Sequence, residues 1–341
     1  MTTVFAPMAS TYETPPAHLD PPTAADLVGP SLKQVEAVIH DLPDVEPDGL
    51  RQAVEVILNS GGKRIRPTIA LLVAGMLGVD PPDSNAVHLA GAVEMLHTAT
   101  LVHDDLIDGS LMRRGAATLN AAWTPAATVL TGDFLFAYAA KLASQANSVE
   151  AMSIFADTLC VMVAGELRQG FSDWETRSTH DDYLRRIYAK TASMFVLATT
   201  AMASVCGASA RQTEALREFG REFGMGFQII DDILDFTGEQ RVVGKPVGSD
   251  LRRGLITLPT LRFAETHASD PDLVCALRGE CDRATYDRLI DRIRRSDAIE
   301  ASRREAAGAG QRAIQALGVF PESAHRAALF GLVDEYARRV V

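Results

Sequence analysis

Two clusters of aspartates have the composition and spacing of metal-binding sites. The first runs from Asp104 to Asp108 and the second from Asp231 to Asp235, and both read DDxxD. On a helix, the outer two aspartates of each cluster would lie one turn apart on one face, and the middle one would point about 100° away. Like charges at this spacing cost a helix about 0.2–0.5 kcal/mol, so using the arrangement twice indicates a bound cation.

The carboxylate oxygens of these clusters favour a hard metal ion. Oxygen-only ligands select Mg²⁺ rather than Zn²⁺, and Mg²⁺ completes its coordination with water and substrate phosphate. Two acidic walls facing each other would therefore hold a phosphorylated substrate through bridging ions. The alternative, a solvated helix end, is weaker for two copies that both lie within mostly apolar sequence.

Several cations are placed where they could bind the phosphates of such a substrate. The segment GGKRIRP at 61–67 puts three cations beside a glycine pair at a predicted helix start. Helix N-termini and guanidinium groups both bind phosphate. Further cations occur in RRG at 113–115, in Lys190-Thr191 and in GKP at 244–246. Each of these alone could be a solvated basic turn.

The elements that carry these residues are predicted to be helices. Apolar residues recur with helical periodicity from about Ala24 onward, and Ala86–Ile107 is predicted to be one long, mostly apolar helix that leads into the first cluster. Glycine and proline separate further periodic stretches, and no convincing alternation of apolar and polar residues predicts a strand. We therefore predict an all-α fold, a single large bundle of ten or more helices.

Composition sets limits on the class of protein. The chain has 341 residues, of which 47% are hydrophobic and 23% charged, as expected of a globular protein. A net charge of −11 argues against nonspecific nucleic-acid binding. Six prolines in the first 30 residues predict a disordered arm over 1–30, followed by one helical domain over 31–341.

Cysteine usage and hydropathy predict a cytoplasmic protein. The four cysteines have no CxxC spacing, so neither a zinc site nor a disulfide framework is expected. The longest nearly apolar stretch, Thr68–Val79, is much shorter than the roughly 20 residues of a membrane span. No Lys or Arg precedes Lys33, so the basic start of a signal peptide is missing.

Taken together, the motifs resemble those of the trans-prenyl diphosphate synthases, the polyprenyl synthetase family, and most closely its long-chain members. Seven motifs occur here in the same order as in the family. They are GGKRIRP at 61–67, EMLHTATLVHDDLID at 94–108, RRG at 113–115, GDFLF at 132–136, KTASMF at 190–195, FQIIDDILDFTG at 227–238 and GKPVGSDL at 244–251. The resemblance implies a helical bundle of the isoprenoid synthase type around a central cavity. It also implies a homodimer and three Mg²⁺ ions bridged by substrate diphosphate.

The resemblance also implies a role for each matching residue. Asp104 and Asp108 match the Mg²⁺ ligands of the first motif, and Asp231, supported by Asp235, matches those of the second. The positions that bind isopentenyl diphosphate match Lys63, Arg66, His97 and Arg114. The positions that contact the allylic diphosphate match Arg113, Lys190, Thr191 and Lys245. Gln228 matches a polar residue beside the second motif.

The sequence departs from the family pattern at two places. Ala116-Ala117-Thr118 stands where Lys-Pro-Thr is common after RRG, and Leu255 stands where a second Lys is common after GSDL. Either Arg252 or Arg253 could supply the missing charge.

The resemblance implies head-to-tail condensation of isopentenyl diphosphate with an allylic prenyl diphosphate. A class I terpene cyclase would need only one diphosphate site, which leaves GGKRIRP and His97 without a use. A non-catalytic partner subunit would have no reason to retain six clustered aspartates.

Product length is predicted from the residues one turn before the first cluster. Thr100 and Ala99, followed by Leu96, face the same way as Asp104 on a helix. Because the first two are small, the channel is expected to extend past them, which favours products longer than C20. Geranylgeranyl or farnesyl diphosphate is the alternative product, with Phe155 or Met162 forming the floor of the channel. A second alternative is that the small residues only allow close packing of the helices.

Overall fold

The computed structural model describes residues 22–43, 48–59, 61–79, 82–113, 116–171, 179–238 and 247–338. The first half of the chain forms α1 (Ala24–His40), α2 (Asp48–Asn59), α3 (Ile65–Met76), α4 (Ser84–Ile107), β1 (Met112–Arg113), β2 (Ala116–Ala117), α5 (Leu119–Ala122), α6 (Pro125–Ser144) and α7 (Val149–Phe171). The second half forms α8 (His180–Ile187), a π-helical turn (Tyr188–Ala192), α9 (Ser193–Val205), α10 (Ala210–Thr237), α11 (Ser249–Arg252), α12 (Leu258–His267), α13 (Pro271–Arg278), α14 (Arg283–Arg295), α15 (Asp297–Ala316), a 3₁₀ turn (Leu317–Val319) and α16 (Ala324–Arg338).

Three helices form the centre of the bundle because their sequences are apolar on nearly every face. Most side chains of α3, α4 and α9 are buried. α4 packs extensively against α6, and α9 packs against α3, α7 and α10. The strands β1 and β2 form one antiparallel pair of two residues each. The predicted all-α bundle of ten or more helices is confirmed, as is the long helix that ends at the first aspartate cluster.

The first helix begins inside the segment for which the sequence predicts disorder. Thr23 accepts a hydrogen bond from the backbone N–H of Asp26, and the Asp26 carboxylate accepts one from the backbone N–H of Thr23. This capping box starts α1 at Ala24, and the helix contains Pro30 in its second turn. Residues 24–30 are therefore helical, and residues 1–21 of the predicted arm lie outside the described part of the chain.

One cysteine pair also differs from the expectation of unpaired thiols. Cys275 and Cys281 form a disulfide, with a Cα–Cα distance of 5.4 Å. Gly279, at a left-handed φ of 71°, ends α13 and turns the chain back so that these two residues meet. Cys160 and Cys206 are free thiols. Among the described helices, none is both long and apolar enough to cross a membrane.

Candidate active site

Both aspartate clusters face one cavity of about 830 Å³. α4 ends within the first cluster, with Asp108 as its C-cap, and α10 ends just past the second, so the bundle brings the C-terminal ends of these two helices to the same cavity. The acidic residues that line the cavity are Glu94, Asp104, Asp105, Asp108, Asp231, Asp232 and Asp250. The cations that line it are Lys63, Arg64, Arg66, Arg113, Arg186, Lys190 and Arg253, together with His97.

The first two aspartates of the first cluster are paired with cations from other elements. The Lys190 ammonium lies 3.4 Å from Oδ2 of Asp104 and 3.1 Å from Oε1 of Glu166 on α7. Burial raises the pKa of Asp104 above its ordinary value, and the Lys190 charge opposes that rise. Asp105 accepts two hydrogen bonds from Nε of Arg113, at 3.0 and 2.9 Å. Arg113, expected to contact the allylic diphosphate, therefore lines the cavity while paired with Asp105.

The second cluster presents different carboxylates from those expected. Asp231 and Asp232 line the cavity, but Asp235 does not. The Asp235 carboxylate instead accepts hydrogen bonds from the backbone N–H groups of Ser249 and Asp250, at 3.1 and 3.2 Å. It thereby holds the first turn of α11 and places Asp250 beside the cavity. The expected metal ligand Asp235 is thus a residue that positions α11.

The π-helical turn between α8 and α9 carries two of the predicted residues. Lys190 reaches the first cluster, and the hydroxyl of Thr191 donates a 2.6 Å hydrogen bond to Gln228 on α10. Glycines on two neighbouring helices leave room for this turn. A Cβ at Gly165 would lie 2.5 Å from the Ala189 Cβ, and one at Gly224 would lie 2.5 Å from the Ala192 Cα. π-turns often mark functional sites in helices, as this one does.

The GGKRIRP segment forms another part of the cavity wall. Lys63 and His97 line the cavity, and Lys63 pairs with Glu335 of α16 at 3.2 Å. The guanidinium of Arg66 lies 4.8 Å from the centre of the Phe195 ring. The predicted residues Lys63, Arg66 and His97 are thus brought together.

Arg64, the third cation of that segment, holds the turn in place. It adopts a left-handed φ of 49° just before α3. Its guanidinium donates to Glu36 of α1 at 2.6 Å, to Glu94 of α4 at 2.9 Å and to the Leu58 carbonyl at 3.1 Å. Glu94 is buried, so these contacts fix the turn to the bundle.

Of the two adjacent arginines Arg252 and Arg253, only Arg253 lines the cavity. Arg253 lines the cavity and pairs with Asp108 at 2.9 Å. Arg252 instead pairs with Asp287 of α14. Leu255 also lines the cavity but brings no charge. The expected residues Arg114 and Lys245 lie outside the described residues.

Several residues of the site were not predicted from the sequence. Glu94 and Asp105 lie within the quoted motif at 94–108, so their sequence position was a usable signal. Glu166 and Tyr183 precede the Lys190 motif and show no distinguishing local pattern. The Tyr183 hydroxyl donates a 2.8 Å hydrogen bond to Asp232, and Gln228 donates one of 2.8 Å to the same carboxylate.

The channel expected below the first cluster is closed in this structure. Thr100 lines the cavity, whereas Ala99 and Leu96 are completely buried and do not line it. Phe155 and Met162, named as a possible floor, are buried as well. α4 packs extensively against α6, and Ala99 lies in the buried core one turn below Asp104.

The donor set fits Mg²⁺ held jointly by protein and substrate. Within the described ranges, no three His, Cys, Asp or Glu side chains converge into a complete metal site. Each wall nevertheless offers carboxylate oxygens to the cavity, beside cations suited to phosphate. Mg²⁺ prefers this combination of few carboxylates, water and phosphate oxygens. Asp104, Asp108 and Asp231 line the cavity and would supply these carboxylates.

Comparison with known proteins identifies the family. The polyprenyl synthetase family model matches residues 47–288. Octaprenyl diphosphate synthase of Escherichia coli is 35% identical over 322 residues, covering 93% of this chain and 97% of that protein. The crystal structure of a polyprenyl synthase from Caulobacter crescentus, complexed with calcium and isoprenyl diphosphate, aligns with a TM-score of 0.87 and 34% identity over 93% of this chain and 97% of its own.

A decaprenyl diphosphate synthase from Rhodobacter capsulatus aligns similarly, with a TM-score of 0.86, 32% identity and coverage of 93% of this chain and 98% of that one. The fold is that of the isoprenoid synthases. The chain belongs to the polyprenyl synthetase family. It is a prenyl transferase of the trans-polyprenyl diphosphate synthase class.

Proposed function

We propose that the cavity condenses isopentenyl diphosphate head-to-tail with an allylic prenyl diphosphate and forms a trans-polyprenyl diphosphate longer than C20. The observation that carries this proposal is the shared cavity: two aspartate clusters and a separate cationic wall face the same space. One diphosphate would be held at the acidic clusters through Mg²⁺, and the other at the cationic wall. A reaction that joins two diphosphate esters needs both places.

The two substrates are assigned to the two walls. Lys63, Arg66 and His97 are positioned to bind isopentenyl diphosphate, and Arg114 is assigned there by its place in the motif. Asp104, Asp108 and Asp231 would hold the allylic diphosphate through Mg²⁺, with Arg113, Lys190, Thr191 and Lys245 supplying further contacts. The apolar side chains between the walls, including Leu101, Leu119 and Phe227, would surround the reacting carbons.

Bound Mg²⁺ would supply charge neutralisation of the leaving diphosphate. Lys190, held by Asp104 and Glu166, is positioned to stabilise the same developing charge as the allylic C–O bond breaks. The double bond of isopentenyl diphosphate then forms the new C–C bond to the allylic C1, and one proton is lost from the adjacent carbon to the departing diphosphate. Apolar lining excludes water, which would otherwise capture the allylic cation.

The number of ions proposed is three, bridged by the substrate diphosphate. Support comes from the carboxylates of both walls that face one cavity. The Caulobacter crescentus structure holds calcium together with isoprenyl diphosphate, which supports joint binding of a divalent ion and a diphosphate in this fold.

Product chromatography tests the function. The purified chain is incubated with Mg²⁺ and one allylic primer at a time, with and without isopentenyl diphosphate. We expect elongated prenyl diphosphates only when isopentenyl diphosphate is present. Cyclised products in its absence would instead identify a class I terpene cyclase. No turnover of any primer by the isolated chain would support the partner-subunit alternative.

The proposed product length rests on the products of related enzymes rather than on the shape of the cavity. Curated relatives include octaprenyl, solanesyl and heptaprenyl diphosphate synthases. Ala99 and Leu96 do not line the cavity in this structure, so a long tail would require the helices packed below Asp104 to separate. Geranylgeranyl diphosphate is the alternative favoured by that closed layer, and the chromatogram distinguishes the two lengths.

We also propose that the chain forms a homodimer through α6 and α7. These neighbouring helices expose large apolar side chains, namely Val129, Leu130, Val161, Val163, Leu167 and Phe171. Phe171 is 86% exposed and Leu130 is 66% exposed. Clustered exposed apolar residues are typical of a protein interface.

Light scattering after size-exclusion chromatography tests the dimer. Wild type is expected at twice the monomer mass of 36.7 kDa. Leu130→Glu should shift it toward monomer, whereas Val319→Glu, which alters an exposed valine outside these helices, should not. A monomeric wild type would contradict the proposal.

A further inference from the structure

Arg253 connects the two acidic walls of the cavity. It directly follows α11, beside the second aspartate cluster, but its guanidinium reaches the C-terminal end of α4. Its Nη2 atom lies 2.9 Å from Oδ2 of Asp108 and donates a 3.0 Å hydrogen bond to the backbone carbonyl of the same residue. The side chain is 32% exposed, so it lies between the cavity and solvent.

The direction of this side chain is fixed by its backbone. The N–H of Arg253 donates to the carbonyls of Ser249 and Asp250, at 3.2 and 3.0 Å. Gly254 follows at a left-handed φ of 77°, which turns the chain away. The neighbouring Arg252 points to α14 and pairs with Asp287. Only one of the two adjacent arginines therefore faces the acidic cluster.

The Asp108 carboxylate cannot pair with Arg253 and bind a metal ion through the same oxygen at the same time. A divalent ion on Oδ2 would repel a guanidinium 2.9 Å from that oxygen. The displaced cation then needs another anion, and a diphosphate is the preferred partner of a guanidinium fork. Both contacts to Asp108 use Nη2, so the group can turn its other N–H donors to phosphate while it keeps the carbonyl bond.

We propose that Arg253 exchanges the Asp108 carboxylate for the substrate diphosphate as the metal binds, and so couples the binding of the metal to that of the diphosphate. The inference rests on the proposed function of the acidic walls. Arg253 thereby becomes a substrate-binding residue, which pairs with Asp108 in the empty site and with the diphosphate in the loaded site. Coupling of this kind is reciprocal, so the diphosphate also tightens the binding of the metal.

Capping the C-terminus of α4 is the alternative role, because Arg253 also satisfies a carbonyl at the end of that helix. The two roles make different predictions. If Arg253 only caps α4, removing its guanidinium lowers the stability of the protein and does not change the affinity for diphosphate. The exchange predicts that removing the guanidinium frees Asp108, tightens the binding of the metal by itself and weakens the binding of diphosphate only when the metal is present.

Isothermal titration calorimetry of the full-length protein separates these roles. Inorganic pyrophosphate is titrated in EDTA and in saturating Mg²⁺, and Mg²⁺ is titrated alone, for wild type, R253Q and R252Q. The coupling factor is the pyrophosphate Kd without Mg²⁺ divided by the Kd with it. We expect R253Q to lower this factor by about tenfold or more and R252Q to leave it unchanged. Complexation of Mg²⁺ by free pyrophosphate is common to all three titrations and cancels between variants.

The outcomes distinguish this inference from the proposed function. If wild type binds pyrophosphate with Mg²⁺ and R253Q shows the same coupling factor, the exchange is wrong and the function stands. If wild type binds no pyrophosphate with or without Mg²⁺, the proposed function itself fails. A second variant, R253K, retains a cation and is expected to keep more of the coupling than R253Q. Equal losses in both would contradict the charge exchange.

Discussion

The hydroxyl of Tyr183 donates a 2.8 Å hydrogen bond to the carboxylate of Asp232, and both side chains are buried. Gln228 donates to the other oxygen of that carboxylate at 2.8 Å and accepts from Thr191 at 2.6 Å. A line of polar groups therefore runs from α8 through the second aspartate cluster to the π-helical turn. It ties the rotation of α10 to the turn that carries Lys190.

The buried Asp232 should make stability depend on pH. Burial raises the pKa of Asp232 to about 7 from the model-compound value of 3.8, although the hydrogen bonds from Gln228 and Tyr183 oppose that rise. Between these two values the folded chain holds a proton that the unfolded chain has lost. The resulting stability is fully present below pH 3.8 and is lost as pH rises toward 7.

Urea unfolding of metal-free protein measures this dependence. We expect the fall in unfolding free energy between pH 5 and pH 8 to be smaller in Asp232→Asn than in wild type. Asp181→Asn, which changes an aspartate with 80% of its side chain exposed, should behave like wild type. An identical pH dependence in Asp232→Asn and wild type would show that Asp232 is ionised throughout.

Removing a metal-facing carboxylate should abolish most turnover. Asp104→Ala or Asp231→Ala is expected to lower kcat by about 100-fold or more, because each removes charge stabilisation that is greatest as the diphosphate leaves. Steady-state kinetics with saturating Mg²⁺ checks this, and circular dichroism verifies the helix content. Asp181→Ala is the matched control. Near-normal turnover by a folded Asp104→Ala variant would refute the metal assignment.

Variants of the two substrate sites should change the kinetic constants of different substrates. Lys63→Ala is expected to raise KM for isopentenyl diphosphate by about tenfold or more, because an ammonium–phosphate contact of this kind contributes roughly 1.5–3 kcal/mol. Lys190→Ala should instead impair use of the allylic substrate. Lys141→Ala, an exposed lysine in the last turn of α6, should change neither constant. An effect of Lys63→Ala on the allylic substrate alone would reverse the assignment.

Bulky residues below the first cluster should shorten the product. In Ala99→Phe the phenyl ring would occupy the layer through which a long tail must pass. Because Ala99 is fully buried, Thr100→Phe, which lines the cavity, is the better tolerated second variant. Chromatography of the prenyl products should show shorter chains for both. Unchanged product length in a folded Thr100→Phe variant would place the tail along another path.

The glycine beneath the π-helical turn should be required for its position. Gly165→Ala brings a Cβ to 2.5 Å from the Ala189 Cβ and should displace the turn, at a cost of about 1–3 kcal/mol. We expect lower activity with the allylic substrate. The double variant Gly165→Ala/Ala189→Gly removes the clash and should recover activity. Gly170→Ala, where a Cβ meets nothing within 4 Å, is the control; no recovery in the double variant would exclude this steric cause.

The sequence by itself determined the helices and the chemistry they carry. Periodic apolar residues predicted α4 and its end at the first aspartate cluster, and the resemblance of the motifs to the polyprenyl synthetase family pointed to Lys63, Lys190 and Gln228, all of which line the cavity. These features are local: a helix forms from neighbouring residues, and two residues four apart share a face whatever surrounds them. The resemblance also implied a central cavity, and in the structure Lys63 and both acidic clusters line one cavity.

The tertiary structure alone decided which side chains of each motif face the cavity. Asp232 lines it and Asp235 does not, Arg253 reaches Asp108 and Arg252 does not, and Ala99 is closed off beneath Thr100. Each choice depends on how a helix is rotated and how closely it packs against its neighbours. That rotation is set by contacts between residues far apart in the chain, such as Tyr183 with Asp232, which no local pattern records.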